Sequence, residues 1–183
     1  MIGSDLRHYL QQSRDSLLRA LDGLSEYDAR RPLTPTGTNL LGLVKHLAGI
    51  EAGYLGACAG RPMPVSLPWY DDGSVWAGGD MWAAAGQSRD GIVALYREVW
   101  AYADRAIEEL PLDHPAVVEW WAPERRHTTF GHLLCRVVAE TAQHAGHADI
   151  LRETLDGRGG NERDEAGWAA FVAEIQAAAD AYR

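Results

Sequence analysis

The chain has 183 residues, with 26 acidic and 17 basic side chains, a formal net charge of −9 and 46% hydrophobic residues. That is the size of one domain with its own core and the composition of a globular protein, which excludes disordered and collagen-like chains. The acidic balance repels phosphate backbones and anionic headgroups, so nucleic acids and membrane surfaces are not expected partners.

The opening stretch MIGSDLRHYLQQSRDS lacks the apolar centre of a signal peptide. No uncharged apolar run reaches the ~20 residues that span a bilayer, so a cytoplasmic location is expected. Leu6, Leu10, Leu17, Leu18 and Leu21 lie on one stripe and predict a first helix over about 4–24, with Ser4 as its cap. The second helix is predicted over about 39–59, capped by Thr38 and closed by Gly60-Arg61-Pro62. The third covers about 88–110 and stops before Pro111. The fourth covers about 129–155 and is followed by the break Asp156-Gly157-Arg158-Gly159-Gly160. An alanine-rich extra helix follows over about 164–181, with Trp168, Phe171 and Ile175. No segment shows sustained strand alternation. The expected architecture is therefore an all-α, antiparallel four-helix bundle in a single domain, 1–183.

Two connections are long, about 60–87 and 111–128, and they hold Trp69, Tyr70, Trp76, Trp82, Trp120 and Trp121. Disordered loops are poor in aromatics, so both are expected to pack, over one end of the bundle or into a partner subunit. The tryptophans either cap the core or shape a substrate pocket, and this aromatic surface is the one hint of a homodimer. Cys58 and Cys135 fall in apolar helical stretches and read as small buried hydrophobes. Two cysteines make neither a disulfide framework nor a four-cysteine zinc site.

The fourth helix carries the chemistry. At 100° per residue, Glu140, His144 and His147 share one narrow face with Leu133, Val137 and Leu151. A carboxylate in the middle of an apolar stripe needs a partner, and a divalent metal is a suitable one. One helix rarely supplies every ligand. The second helix has a single histidine, His46, on a face with Gly42, Gly49 and Gly53. Those glycines leave room for close packing, or for an ion and its substrate. His46, Glu140 and His144 would form a two-histidine, one-carboxylate set with an open position, suited to zinc, iron(II) or nickel. His147 reads as a fourth ligand or, in preference, as a supporting group or a substrate contact with a catalytic role. Arg125-Arg126 offer charge to an anionic group of a cofactor or substrate, or are solvated surface. At this level a core histidine satisfied by hydrogen bonds is an equal alternative to the ligand role. Serine triads, phosphate-binding loops, dinucleotide fingerprints and His-Glu-x-x-His are absent from the sequence.

Two stretches carry a family resemblance: LTPTGTNLLGLVKHLAGIEAGYLG at Leu33–Gly56 and ETAQHAGHADILRE at Glu140–Glu153. The chain resembles the DinB/YfiT-like superfamily, in the branch of the mycothiol-dependent maleylpyruvate isomerases. The resemblance implies an up-down-down-up bundle and one divalent metal, held by a histidine at the position of His46 and by two residues four apart in the last bundle helix. Many relatives have His-x-x-x-His there, followed by Arg-Gly-Gln. Here Glu140-x-x-x-His144 is followed by Ala145-Gly146-His147, and the glutamate variant matches the His, Glu, His triad of the isomerases. Those isomerases carry a second C-terminal domain for which this chain is too short, so maleylpyruvate is not the expected substrate. The resemblance further implies thiol-dependent chemistry. The metal binds mycothiol or a similar small thiol and activates it for S-transfer or isomerisation of a small electrophile. A non-catalytic metal or small-ligand binding protein of the stress response is the alternative.

Overall fold

The computed structural model describes residues 2–157 and 164–183. Four long helices form the bundle: α1 (Ile2–Arg19), α3 (Leu40–Glu51), α5 (Arg89–Glu109) and α6 (Phe130–Asp156). Between α1 and α3 lies a short α2 (Glu26–Arg30), and α4 (Pro68–Asp71) sits in the long connection before α5. The extra helix α7 (Glu165–Asp180) follows the bundle, capped by Asp164, and buries none of its residues. Gly157, at φ +70°, closes α6. The rest of the expected break, Arg158-Gly159-Gly160, lies outside the described residues.

The caps explain where the helices begin. Ser88, Thr129 and Asp164 each accept a backbone N–H from the first turn of their helix. Two expected caps are corrected. Helix α1 already includes Ser4, having begun at Ile2. Asn39, rather than Thr38, caps α3 by accepting from the Gly42 N–H. The second helix is also not uniform: after Glu51 the chain passes through a π-helical turn (Ala52–Gly56) and a 3-10 turn (Ala57–Ala59) before Gly60 takes φ +71°.

Helix directions follow from the two halves of the core. Leu17, Leu21, Leu41, Leu47, Ile92, Tyr96, Ala148 and Leu151 meet at one end. Leu10, Tyr54, Leu55, Ala103, Ala106, Leu133 and Val137 meet at the other. Helices α1 and α6 therefore run one way, and α3 and α5 the opposite way. This is the up-down-down-up bundle.

That topology accounts for the length of the tryptophan-rich connection. Helices α3 and α5 are consecutive and parallel, so the chain must travel back along the bundle, roughly 30 Å for a helix the length of α5. It does so along α3. Tyr70 meets Gly49 and Gly53, Asp80 meets His46, and Met81 meets Gly42. Lys45, almost fully buried, clamps the crossing: its Nζ donates to the carbonyls of Gly79 (2.6 Å) and Trp82 (2.9 Å) and lies 4.7 Å from the centre of the Trp69 ring. Burial lowers the pKa of Lys45, and the charges of Asp80 and Asp72 partly offset this.

Gly42 and Gly49 thus admit the crossover rather than an ion. A Cβ on Gly42 would stand 1.8 Å from the Met81 carbonyl oxygen, and one on Gly49 would stand 2.9 Å from the Tyr70 ring. Gly42→Ala is expected to push residues 79–82 off α3 and to cost about 1–3 kcal/mol, the usual range for overpacking. Urea denaturation checks this, and an unchanged midpoint would show that the loop relaxes freely.

The second long connection, between α5 and α6, contains a structure the sequence pattern did not predict. β1 (Pro115–Val117) and β2 (His127–Thr129) pair antiparallel, with Ala116 opposite Thr128. Ala116 and Val118 anchor this ribbon in the core. Three residues per strand are too few for an alternation signal to register. Trp69 is buried as expected of a packed loop, but Trp76, Trp82 and Trp120 are largely exposed. The cysteines divide as well: Cys58 is buried, while Cys135 lies on the exposed side of α6. Burial pushes the Cys58 thiol up to about 11, so it is not a ready nucleophile. No described helix is long and apolar enough to cross a membrane.

Candidate metal centre

His46 projects from the middle of α3, and Glu140 and His144 project from the middle of α6. The sequence placed this face in the centre of an apolar stripe. In the structure the fully buried line of α6 runs through Leu133, Val137, Thr141 and Ala148. Glu140 and His144 stand on its flank, with side chains 25% and 14% exposed. The cause is that α6 packs chiefly on α1, which turns this flank toward α3 and a solvent opening. His147 is displaced further and is exposed.

One ligand atom from each of His46, Glu140 and His144 can be chosen so that all lie within 4.8 Å of one another. Glu140 Oε1 is 3.7 Å from His46 Nε2 and 3.4 Å from His144 Nε2. These separations are long for hydrogen bonds. They match the spacing of donors around one ion: two atoms about 2.1 Å from a tetrahedral metal stand about 3.4 Å apart. The donor set therefore fits a divalent metal.

The nitrogens are also prepared for it. His46 Nδ1 shares a 2.6 Å hydrogen bond with Asp80 Oδ2, which leaves Nε2 facing Glu140. Burial alone would raise the pKa of Asp80, but the hydrogen bond and charge of His46 outweigh it and hold the carboxyl below its ordinary value. Burial and the neighbouring His46 lower the pKa of His144, and Glu140 only partly opposes them. A neutral imidazole is the form that binds metal. His147 Nδ1 lies 3.4 Å from His144 Nδ1. Tyr70, whose hydroxyl donates to the Gly49 carbonyl at 3.3 Å, is pushed up to about 12 by burial and by the charge of Asp80.

Asp80 was not found from the sequence, and Tyr70 was read there only as one of the loop aromatics. Asp80 is 34 residues from His46 in the chain, and no local pattern marks it. Asp80→Ala is expected to weaken metal binding about 10–100-fold, as loss of the carboxylate behind a ligating histidine generally does. Competition with a chromogenic chelator measures this, and an unchanged affinity would remove Asp80 from the centre.

A profile of the mycothiol-S-transferase family matches residues 5–157. The chain belongs to the mycothiol-S-transferase family. Its fold is that of DinB/YfiT-like proteins. A solved structure, the conserved protein of a locus from Enterococcus faecalis, superposes with a TM-score of 0.66 at 12% identity, covering 86% of this chain and 99% of that one. At that identity the likeness concerns the fold. No curated protein matches the chain significantly. The family match runs from the first turn of α1 past the end of α6 and leaves α7 outside it.

Several cavities lie toward the end of the bundle where α3 finishes and α6 begins, and two of them are lined by the tryptophans of the long connections. One, of about 230 Å³, is mostly apolar and is lined by Gly53, Met63, Leu67, Tyr70 and Trp120 among others. The other, of about 440 Å³, is lined by Trp121, Arg125, His127, Thr128, His132 and Arg136. Arg125 and Arg126, paired in the sequence reading, separate here. Arg125 lines the second cavity, whereas Arg126 pairs with Glu119 at 3.3 Å.

Proposed function

We propose that this chain is a divalent-metal-dependent S-transferase that uses mycothiol or a similar small thiol to attack a small electrophile. The observation that carries the reading is the set of ligand-like separations, 3.4 and 3.7 Å, between Glu140 and the two imidazoles, inside a fold whose family is named for mycothiol transfer. His46, Glu140 and His144 would hold the ion. Zinc suits two imidazoles and a carboxylate, and nickel and iron(II) share those preferences. A metal bound there supplies Lewis acidity that lowers the pKa of a coordinated thiol, making the thiolate available near neutral pH.

The protein's own groups do the rest. Asp80 fixes the tautomer of His46 and aims its Nε2. His147, exposed and beside His144, takes the proton that the thiol gives up. The partly exposed flank of α6 leaves one side open to substrate. The cavity beside Tyr70 and Trp120 receives the apolar part of the electrophile.

The test is conjugation of mycothiol to monochlorobimane by the protein as purified, after chelation, and after zinc is restored. Acceleration that disappears on chelation and returns with zinc is the expected result. No metal-dependent acceleration across a range of thiols would overturn the enzyme and leave a metal-binding protein without turnover.

A further inference from the structure

Most arginines among the described residues sit against carboxylates, Arg7, Arg14, Arg61, Arg126 and Arg152 among them. Arg125 and Arg136 do not. Neither has a carboxylate partner among the described residues, yet both line the same cavity of about 440 Å³. His127 and His132 line it too, and no carboxylate does. Two guanidinium groups left unpaired in one concave site, on a protein of net charge −9, form a local reversal of sign.

The cavity is also built. The Arg136 guanidinium carbon lies 5.1 Å from the centre of the Tyr54 ring and 5.8 Å from that of Trp121. That packing fixes the plane of the guanidinium. Thr128 Oγ1 and His132 Nδ1 share a 2.7 Å hydrogen bond, and Trp121 stands 5.7 Å from the His132 ring. The wall is thus aromatic on one side and cationic on the other.

Its position ties it to the metal centre. His132, Arg136, Glu140 and His144 follow one another at four-residue intervals on α6. Arg136 is therefore one turn, about 6 Å of helix axis, from Glu140.

We infer that this cavity is an anion subsite that binds a carboxylate on the electrophilic substrate, so that the preferred substrates are small electrophilic acids. A carboxylate on a flat organic body suits it better than a free phosphate, because the guanidinium grips either anion in two-pronged fashion but only the organic acid also packs against the aromatic wall. The inference rests on the reading of the site as a transferase, but binding at the cavity can be measured without turnover.

The first measurement is calorimetric titration of benzoate, with benzamide as its neutral isostere and inorganic phosphate as a third probe, at fixed ionic strength. It is run on the protein as purified and after chelation. Benzoate is expected to bind one per chain, at least tenfold more tightly than benzamide or phosphate, in both preparations. Arg125→Gln and Arg136→Gln are each expected to weaken it about tenfold, while Arg97→Gln, on the exposed side of α5, leaves it unchanged. Both cavity arginines are exposed, and circular dichroism confirms that the variants fold. Equal binding of benzamide, tighter binding of phosphate, or indifference to both substitutions would each overturn the inference.

The second measurement compares alkylation of mycothiol by iodoacetate and iodoacetamide, read on the thiol product by mass spectrometry. In both reactions the thiolate sulfur forms a bond to the CH2 carbon as the carbon–iodine bond breaks. Iodide leaves with the electron pair, and the thiol proton passes to a base. The acid-over-amide ratio of kcat/KM is expected to fall at least tenfold in the double variant, and an unchanged ratio would overturn the role in substrate choice. Benzoate binding without turnover of either halide would sink the transferase reading and leave the anion subsite standing.

Discussion

Protein carrying His46→Ala or Glu140→Gln is expected to lose its bound metal and, with it, metal-dependent thiol transfer. The wild-type chain should contain close to one divalent ion after purification, measured by elemental analysis. Glu140→Gln is the sharper of the two changes. It keeps the size and shape of the side chain, but removes the charge that two imidazoles share at 3.4 and 3.7 Å and turns one acceptor oxygen into a donor. Losing a direct ligand should cost more than the 10–100-fold that losing a supporting partner costs. Transfer activity should then fall to the chelated background. Full metal content in either variant would place the ion elsewhere. A wild-type protein that is metal-free yet equally stable and active would remove the centre altogether. Affinity should also weaken in acid, because imidazole and carboxylate must both be deprotonated to bind.

Glu51→Ala is expected to destabilise the fold by about 3–5 kcal/mol, a large share of the 5–15 kcal/mol typical of a domain. Arg14 and Glu51 are fully buried and face each other through two hydrogen bonds, one of them 3.0 Å from Arg14 Nε to Glu51 Oε1. Arg14 also donates to Asp104 at 2.7 Å, and Asp104 is held in turn by Arg7. Burial alone would lower the pKa of Arg14, but the charge of Glu51 outweighs it and keeps the guanidinium ionised. Removing Glu51 takes away two of the guanidinium's bonds and leaves Asp104 as its remaining carboxylate, in the core beside Trp100, whose ring centre is 5.3 Å away. The partners should be coupled. Arg14→Met combined with Glu51→Met should recover most of the loss, because an apolar pair of similar volume avoids the desolvation cost. Urea denaturation of the wild type, Arg14→Met, Glu51→Met and the double variant, as a double-mutant cycle, measures this. A cost below about 1 kcal/mol for Glu51→Ala would mean that water or a shifted Asp104 replaces the carboxylate.

Much of the bundle was legible because helical periodicity and capping are local. The leucines of α1, the start of α5 at Ser88 and the start of α6 at Thr129 all register within a few residues. The pair Glu140 and His144 was legible for the same reason, since one turn of a helix fixes their separation. It was the family resemblance that marked His46 as a ligand, and from its own neighbourhood it was legible only as an isolated histidine beside glycines. The purpose of those glycines was not: they accommodate Met81 and Tyr70 of the crossover, and nothing nearby in sequence states what will pack there. Arg14 and Glu51 look like ordinary polar positions until α1, α3 and α5 are brought together around them.

The sequence by itself determined the helical class, the four long segments and the presence of a carboxylate and an imidazole on one flank of α6, all set by interactions within a few residues. Only the tertiary structure decided what meets what. It brought His46 to Glu140 across two helices and sent Asp80 back along α3 to hold His46. It divided Arg125 from Arg126, with one facing a cavity and the other facing Glu119. Such pairings arise from packing between segments far apart in the chain, so they exist only once the bundle has closed.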